Sequence, residues 1–278
     1  MKTGLVRLSI ACLGTIVLAF SACSKHEPSN ANQGAINPVP TKPLTTIGIY
    51  RPSKGTFYLR NSNTVGDPDV AVTFGPPNAI PVAGDWDGNG TSTIGIYVPS
   101  EGVFHLRNSN SSGGAADVTV PFGPKSVLPI VGDWDGNGTD TIGVYDPSQS
   151  AFYLRNSNSA GAPDITVVYG VKGDLPLAGD WDANGTVTVG LYRPGDNAFY
   201  LRNSNSTGSP DITVVYGVNG DIPLVGDWNG LGAVTIGVYR PNSLTFYLRR
   251  TNISDDGATI VPFGAAGDVP IVGKWVKN

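Results

Sequence analysis

Three short loops carry the residues best suited to chemistry. Asp85, Asp87 and Asn89 stand at positions 1, 3 and 5 of one loop, with Gly90 at its turn. Asp133, Asp135, Asn137 and Gly138 repeat the arrangement, as do Asp180, Asp182, Asn184 and Gly185. Alternate oxygens at this spacing wrap a single centre, and calcium takes about six to eight oxygens. The backbone carbonyls of Thr91, Thr139 and Thr186 add candidates at position 7. No glutamate stands at position 12, so an EF-hand is excluded. A fourth copy (Asp227, Asn229, Leu231) has lost an oxygen, and a fifth begins with Lys274. The alternative is an Asx-turn, in which the carboxylates accept backbone N–H bonds. The sequence leaves both readings open.

Each loop also holds a tryptophan. Trp86, Trp134, Trp181, Trp228 and Trp275 are equivalent, and such a set either stacks on sugar faces as a ligand-binding ring or packs between repeats, the favoured reading. Arg60, Arg107, Arg155, Arg202 and Arg249 precede an Asn-Ser-Asn-like turn, and Asp69, Asp117, Asp164 and Asp211 follow it. Antiparallel pairing would bring each Arg to its Asp. The last unit has Ala258 at the acidic position. The weaker alternative is a set of arginines facing anionic sugars. Catalysis has little to draw on. The two histidines are His26, in a polar stretch, and His105, in a core-type aromatic position, so no His-based triad or zinc site assembles. Most acids repeat symmetrically, and the singular ones (Glu101, Asp140, Asp146, Asp196) read as turn residues, so no enzyme is expected.

These residues are positioned by a repeat. The element T-[IV]-G-[IVL]-Y starts at Thr46, Thr93, Thr141, Thr188 and Thr235, spacings of 47, 48, 47 and 47 residues. A period in this range indicates a propeller or a solenoid. Each unit holds four strand signals; in the third these are Ile142–Tyr145, Phe152–Arg155, Ile165–Tyr169 and Leu175–Gly179. Phe152 and Leu154 alternate with Tyr153 and Arg155, the period of a two-faced strand. Gly 37, Pro 22 and only 14% charged residues agree with a turn-rich all-β fold. The repeated region opens on the strand after the loop and closes on the strand before it. Asp268–Trp275 therefore supplies the strand that the first unit lacks. The expectation is a five-bladed β-propeller over 46–278, its ring closed by the C-terminal strand; an open array is the alternative.

Phe74-Gly75, Phe122-Gly123, Tyr169-Gly170, Tyr216-Gly217 and Phe263-Gly264 are each followed by the acidic loop or its remnant. This pattern resembles the FG-GAP repeats of integrin-α-type propellers and their bacterial relatives. The resemblance covers nearly all of residues 46–275. It implies that the strand before each loop lines a central channel and that the loop joins the first two strands of a blade. FG-GAP loops usually carry an aspartate at position 9, where this chain has Thr93, Thr141 and Thr188. Blade number and period are also similar to those of the tachylectin type of five-bladed lectin, whose sequence motifs are not present.

Residues 1–22 read as a targeting segment, with Lys2 and Arg7 ahead of an apolar stretch from Leu8 to Phe20 that is too short to span a bilayer. Phe20-Ser21-Ala22-Cys23 resembles a bacterial lipobox, which implies lipidation at Cys23; simple secretion is the alternative. Ser24 after the cysteine points, by the same resemblance, to the outer membrane. Residues 23–45 then form a lipidated cysteine and a flexible tether, of which about 22 residues could reach roughly 70 Å. Cys12 falls in the targeting segment, so the mature domain has no disulfide. Removing Lys2 and Arg7 takes the net charge from -4 to -6, and with no basic stripe this argues against nucleic acid. The expectation is a monomeric, extracytoplasmic, membrane-anchored binding or adhesion module for protein or glycan partners. A surface scaffold and a propeller glycosidase are the alternatives.

Overall fold

The computed structural model describes residues 44–253 and 257–276. The targeting segment, Cys23 with its proposed lipid, His26 and the tether up to residue 43 lie outside the described residues.

The described residues form twenty strands in five antiparallel sheets of four, with no helix. The first blade has β1 (Thr46–Arg51), β2 (Thr56–Leu59) and β3 (Val70–Thr73), with β20 (Val269–Gly273) as its innermost strand. The second runs β4 (Ile80–Gly84), β5 (Thr93–Val98), β6 (Val103–Leu106), β7 (Val118–Pro121). The third runs β8 (Leu128–Gly132), β9 (Thr141–Asp146), β10 (Ala151–Leu154), β11 (Ile165–Val168). The fourth is β12 (Leu175–Gly179), β13 (Thr188–Arg193), β14 (Ala198–Leu201), β15 (Ile212–Val215). The fifth is β16 (Ile222–Gly226), β17 (Thr235–Arg240), β18 (Thr245–Arg249), β19 (Ala258–Pro262). Strands β4, β8, β12, β16 and β20 each touch the like strands of both neighbouring blades, so the circle is closed. β20 pairs with β1 from Thr46↔Gly273 to Tyr50↔Val269, as the phase of the repeat requires.

Burial explains the strand sequences. The second strand of each blade, such as TIGIYV in β5, is buried over at least its first five residues, because blades pack on both of its faces and no alternation is needed. The glycine at its centre is a clearance residue: a Cβ on Gly95 would lie 2.9 Å from Leu106 and 3.0 Å from Val82. The outer strand, such as β7, alternates between buried and solvent-facing positions. Tyr50–Phe57, Tyr97–Phe104, Tyr145–Phe152, Tyr192–Phe199 and Tyr239–Phe246 stack as tilted cross-strand pairs with centroids 4.7–4.8 Å apart. All ten rings are essentially fully buried, and each pair contributes about 0.5–1.5 kcal/mol beyond its buried area.

A second ring lies where the innermost strands end. The carbonyls of Asp85, Asp133, Asp180, Asp227 and Lys274 accept from the N–H groups of Asp140, Val187, Val234, Thr45 and Ser92, each in the next blade, at 2.8–2.9 Å. In three places the side chain of the donor residue returns the bond. Thr45 Oγ1 accepts from Asp227 N, Ser92 Oγ from Lys274 N, and Asp140 Oδ2 from Asp85 N.

Candidate functional site

The propeller has two chemically distinct faces. The acidic loops join the first and second strands of each blade, and they gather at one mouth of the central channel. In the first loop Asp85 Oδ1 accepts from Asn89 N (2.9 Å) and Oδ2 from Gly90 N (2.6 Å), while Asn89 Oδ1 accepts from Thr91 N (2.9 Å). Asp133 with Asn137 and Asp180 with Asn184 repeat these bonds within 0.3 Å. The second acids, Asp87, Asp135 and Asp182, point to solvent. The fourth loop is informative. Asp227 receives Leu231 N and Gly232 N at 3.1 and 2.9 Å, although Leu231 has no side-chain oxygen to offer a metal.

The loop therefore closes on its own N–H donors with or without a full donor set. Each of the first three offers five side-chain oxygens, from two carboxylates and one amide, and a position-7 carbonyl as a sixth, the lower end of the roughly six to eight oxygens that calcium takes. Among the described residues no three His, Cys, Asp or Glu side chains gather as a metal group. The bonds present are those of an Asx-turn. Melting temperature is accordingly expected to be the same in millimolar calcium and in excess chelator; a calcium-dependent rise that chelation reverses would instead place an ion on these loops.

The channel mouth is a cavity of about 450 Å³ bordered by Asp85, Asp133, Asp180, Asp227 and Lys274. Asp140, read from sequence as a turn residue, joins them here. Burial pushes its carboxyl up to about 6; the Asp85 N–H opposes this, the Asp85 and Asp133 carboxylates add to it, and Lys274 opposes it. Burial also raises Asp85, Asp133 and Asp180, overriding their backbone hydrogen bonds.

The five tryptophans are 3–8% exposed. Each ring folds back onto the glycine two residues before it, so that a Cβ on Gly84 would meet Trp86 at 2.7 Å. Trp86 also shares a core with Ile142 and Val144 of the next blade. They pack between blades and present no ring face to a sugar. Arg60, Arg155 and Arg202 reach Asp69, Asp164 and Asp211 at 3.2–3.6 Å, as the sequence suggests. Arg107 turns to the Ser111 carbonyl, and Arg249 to that of Ile253. Four of these five arginines are buried, so they brace turns and do not form an anion-binding surface.

The opposite face holds residues that sequence reasoning missed. There the Phe-Gly or Tyr-Gly corner of one blade meets the last residue of the second strand and the third-strand aromatic of the next blade. In the first, fourth and fifth blades an arginine fills this cleft. Arg51, Arg193 and Arg240 make paired bonds of 2.8–3.0 Å to Asp268, Asp174 and Asp221, whose side chains are 0–1% exposed. Their guanidinium carbons sit 4.6–4.9 Å from the ring centroids of Tyr58, Tyr200 and Tyr247. In the second blade Val98 and Ala79 replace the pair, and in the third Asp146 and Val127 do. The missed signal was this joint loss: where the arginine goes, its aspartate goes too. The third-strand aromatics, His105 included, are half-buried cleft residues and not core ones.

No family model matches the chain, and a search of curated proteins finds no match.

Proposed function

We propose that the protein is a non-enzymatic binding or adhesion module, a monomeric β-propeller held outside the cytoplasm by a lipid on Cys23, that recognises a protein or glycan partner. The observation that carries this reading is the cleft face. Three inter-blade clefts open there with the same lining of aromatic and glycine positions, and one of them departs from the others in charge and volume. A rigid scaffold that varies one of several equivalent clefts is suited to recognition. The anchor is tested by detergent-phase partitioning. The full chain is expected in the detergent phase and Cys23→Ala in the aqueous phase; equal partitioning would remove the lipid. Recognition is tested with the propeller immobilised on glycan arrays and offered to surface-protein extracts. A partner that competes with substitutions on the cleft face supports the module, and one indifferent to them counts against it.

A second reading, a glycosidase acting in the channel, draws on Asp140. A carboxyl titrating near 6 beside other carboxylates resembles the acid member of a hydrolytic pair. Turnover of chromogenic glycosides that Asp140→Asn abolishes would decide for it.

A further inference from the structure

The three clefts are built from equivalent positions, and one of those positions reverses its charge in a single cleft. Between the fifth and first blades the lining includes Ile49, Arg51, Tyr58, Phe263 and Gly264, around about 340 Å³. Between the fourth and fifth it is Val238, Arg240, Tyr247, Tyr216 and Gly217, around about 360 Å³. Between the second and third, Val144, Asp146, Tyr153, Phe122 and Gly123 surround about 490 Å³. Asp146 stands where the sister blades place a guanidinium, so the charge there is reversed. Glu101, on the turn of the second blade, adds a second carboxylate to the lining.

Asp146 is buried, and no cation reaches it within ion-pair distance among the described residues. It accepts only neutral donors: Ser148 N (2.8 Å), Ser148 Oγ (2.6 Å) and Gln149 Nε2 (2.8 Å). Those bonds, the Ser148 hydroxyl's first, hold its carboxyl below the usual range, so it is ionised at neutral pH. Tyr153 keeps the ring position of Tyr58, Tyr200 and Tyr247 without their overlying arginine, its hydroxyl donating to Gln149 Oε1 at 3.3 Å. Lys125 and Lys172 line the adjoining cavity, which shares Pro124, Asp146 and Gln149 with this one.

We propose that the cleft between the second and third blades binds an arginine side chain of a partner protein. Its guanidinium lies over the Tyr153 ring, as the propeller's own arginines lie over Tyr58, Tyr200 and Tyr247, and its charge pairs with Asp146 and Glu101. A planar cation suits this place better than an ammonium because it can stack and hydrogen-bond at once. The inference deepens the binding-module reading and rests on it only for the partner being a protein.

The test uses Nα-acetyl-argininamide as the probe, added to propeller carrying ring-labelled tyrosine, with Tyr153→Phe to assign the resonance. A saturable shift at Tyr153 is expected, half-complete on the order of 1 mM. The neutral citrulline analogue and the variant Asp146→Asn should each weaken it at least about tenfold, as loss of a charge-assisted contact does. The double variant Asp146→Arg with Val127→Asp gives the third blade its sisters' pair, so it should fold and abolish the shift. No shift well past that concentration, an equal shift from the citrulline analogue, or a shift that survives both variants overturns the site. A protein partner captured with equal strength by these variants would overturn the arginine site and leave the module reading standing. Probe binding with no macromolecular partner would do the reverse.

Discussion

A chain ended at Gly267 is expected to lose its cooperative melting transition and to aggregate, whereas the full chain melts in one step. The missing segment contributes five backbone pairs to β1 and the buried side chains Ile271 and Trp275, which pack with Ile94 and Ile96 of the second blade. It also carries the Trp275 indole N–H bond to the Ile47 carbonyl (3.3 Å) and Asp268, the buried partner of Arg51. Loss of one buried Trp or Ile side chain costs about 2–5 kcal/mol, and the whole net stability of a domain is about 5–15. What remains would expose β1, with Ile47 and Ile49, as a flat apolar edge. The control is a permuted chain. Asn278 joined through one glycine to Leu44 makes a connection as long as residues 85–92, which link β4 to β5; new ends are cut in the turn between Leu201 and Ile212. Closure needs the pairing and not the order of the chain, so this protein should melt like the original. Calorimetry reads both. A truncated chain that melts unchanged would mean the ring does not depend on its seam.

The fold was open to sequence reading because its constraints are local and repeated. The 47-residue interval, the all-buried T-[IV]-G-[IVL]-Y strand and the offset between the first and last units each follow from short segments, and together they dictate a closed circle. The candidate sites were harder, for a physical reason. Asp140 immediately precedes a strand and reads as a turn residue, yet the approach of the neighbouring blade puts its carboxylate on the Asp85 N–H, 55 residues away in the chain. Arg193 and Asp174 are separated by 19 residues, across the loop that reverses the chain between the first two strands of one blade. Their pairing depends on the register of β12 with β13, which no single motif announces. The Asn-Ser-Asn turns were legible as turns only. Their second asparagine proves to clamp the neighbouring strand, as when Asn205 Oδ1 receives Val189 N and its Nδ2 donates to the Val187 carbonyl. Asp146 seemed one more turn acid until its sister positions were seen to hold arginine over a tyrosine ring.

Asp140→Asn is expected to raise the melting temperature at pH 8 and to leave it unchanged at pH 4. Its carboxyl is pushed up to about 6 in the folded protein, against about 3.9 when unfolded. The fold thus favours the neutral acid. That contribution is fully present below about pH 4 and is lost as pH rises through 6, the reverse of an ion-paired aspartate. Two units correspond to nearly 3 kcal/mol at most; the channel mouth admits water, so about 1–3 kcal/mol is the reasonable range. At about 2–4 °C per kcal/mol for a chain of this size, the gain is several degrees. Asparagine keeps an oxygen to accept from Asp85 N at 2.8 Å and removes a negative charge from between Asp85 and Asp133. The raised carboxyls of Asp85, Asp133 and Asp180 act in the same direction, so some pH dependence should persist in the variant. A variant less stable at pH 8 would show that Lys274, or a cation held in the channel, pairs with Asp140 strongly enough to reverse the sign. The equivalent positions hold Thr45, Ser92, Val187 and Val234, none of which carries a charge. A carboxyl that costs stability at the one place where four sister blades do without it is what a functional group in the channel would look like, which makes the pH difference and the glycoside assay two readings of the same residue.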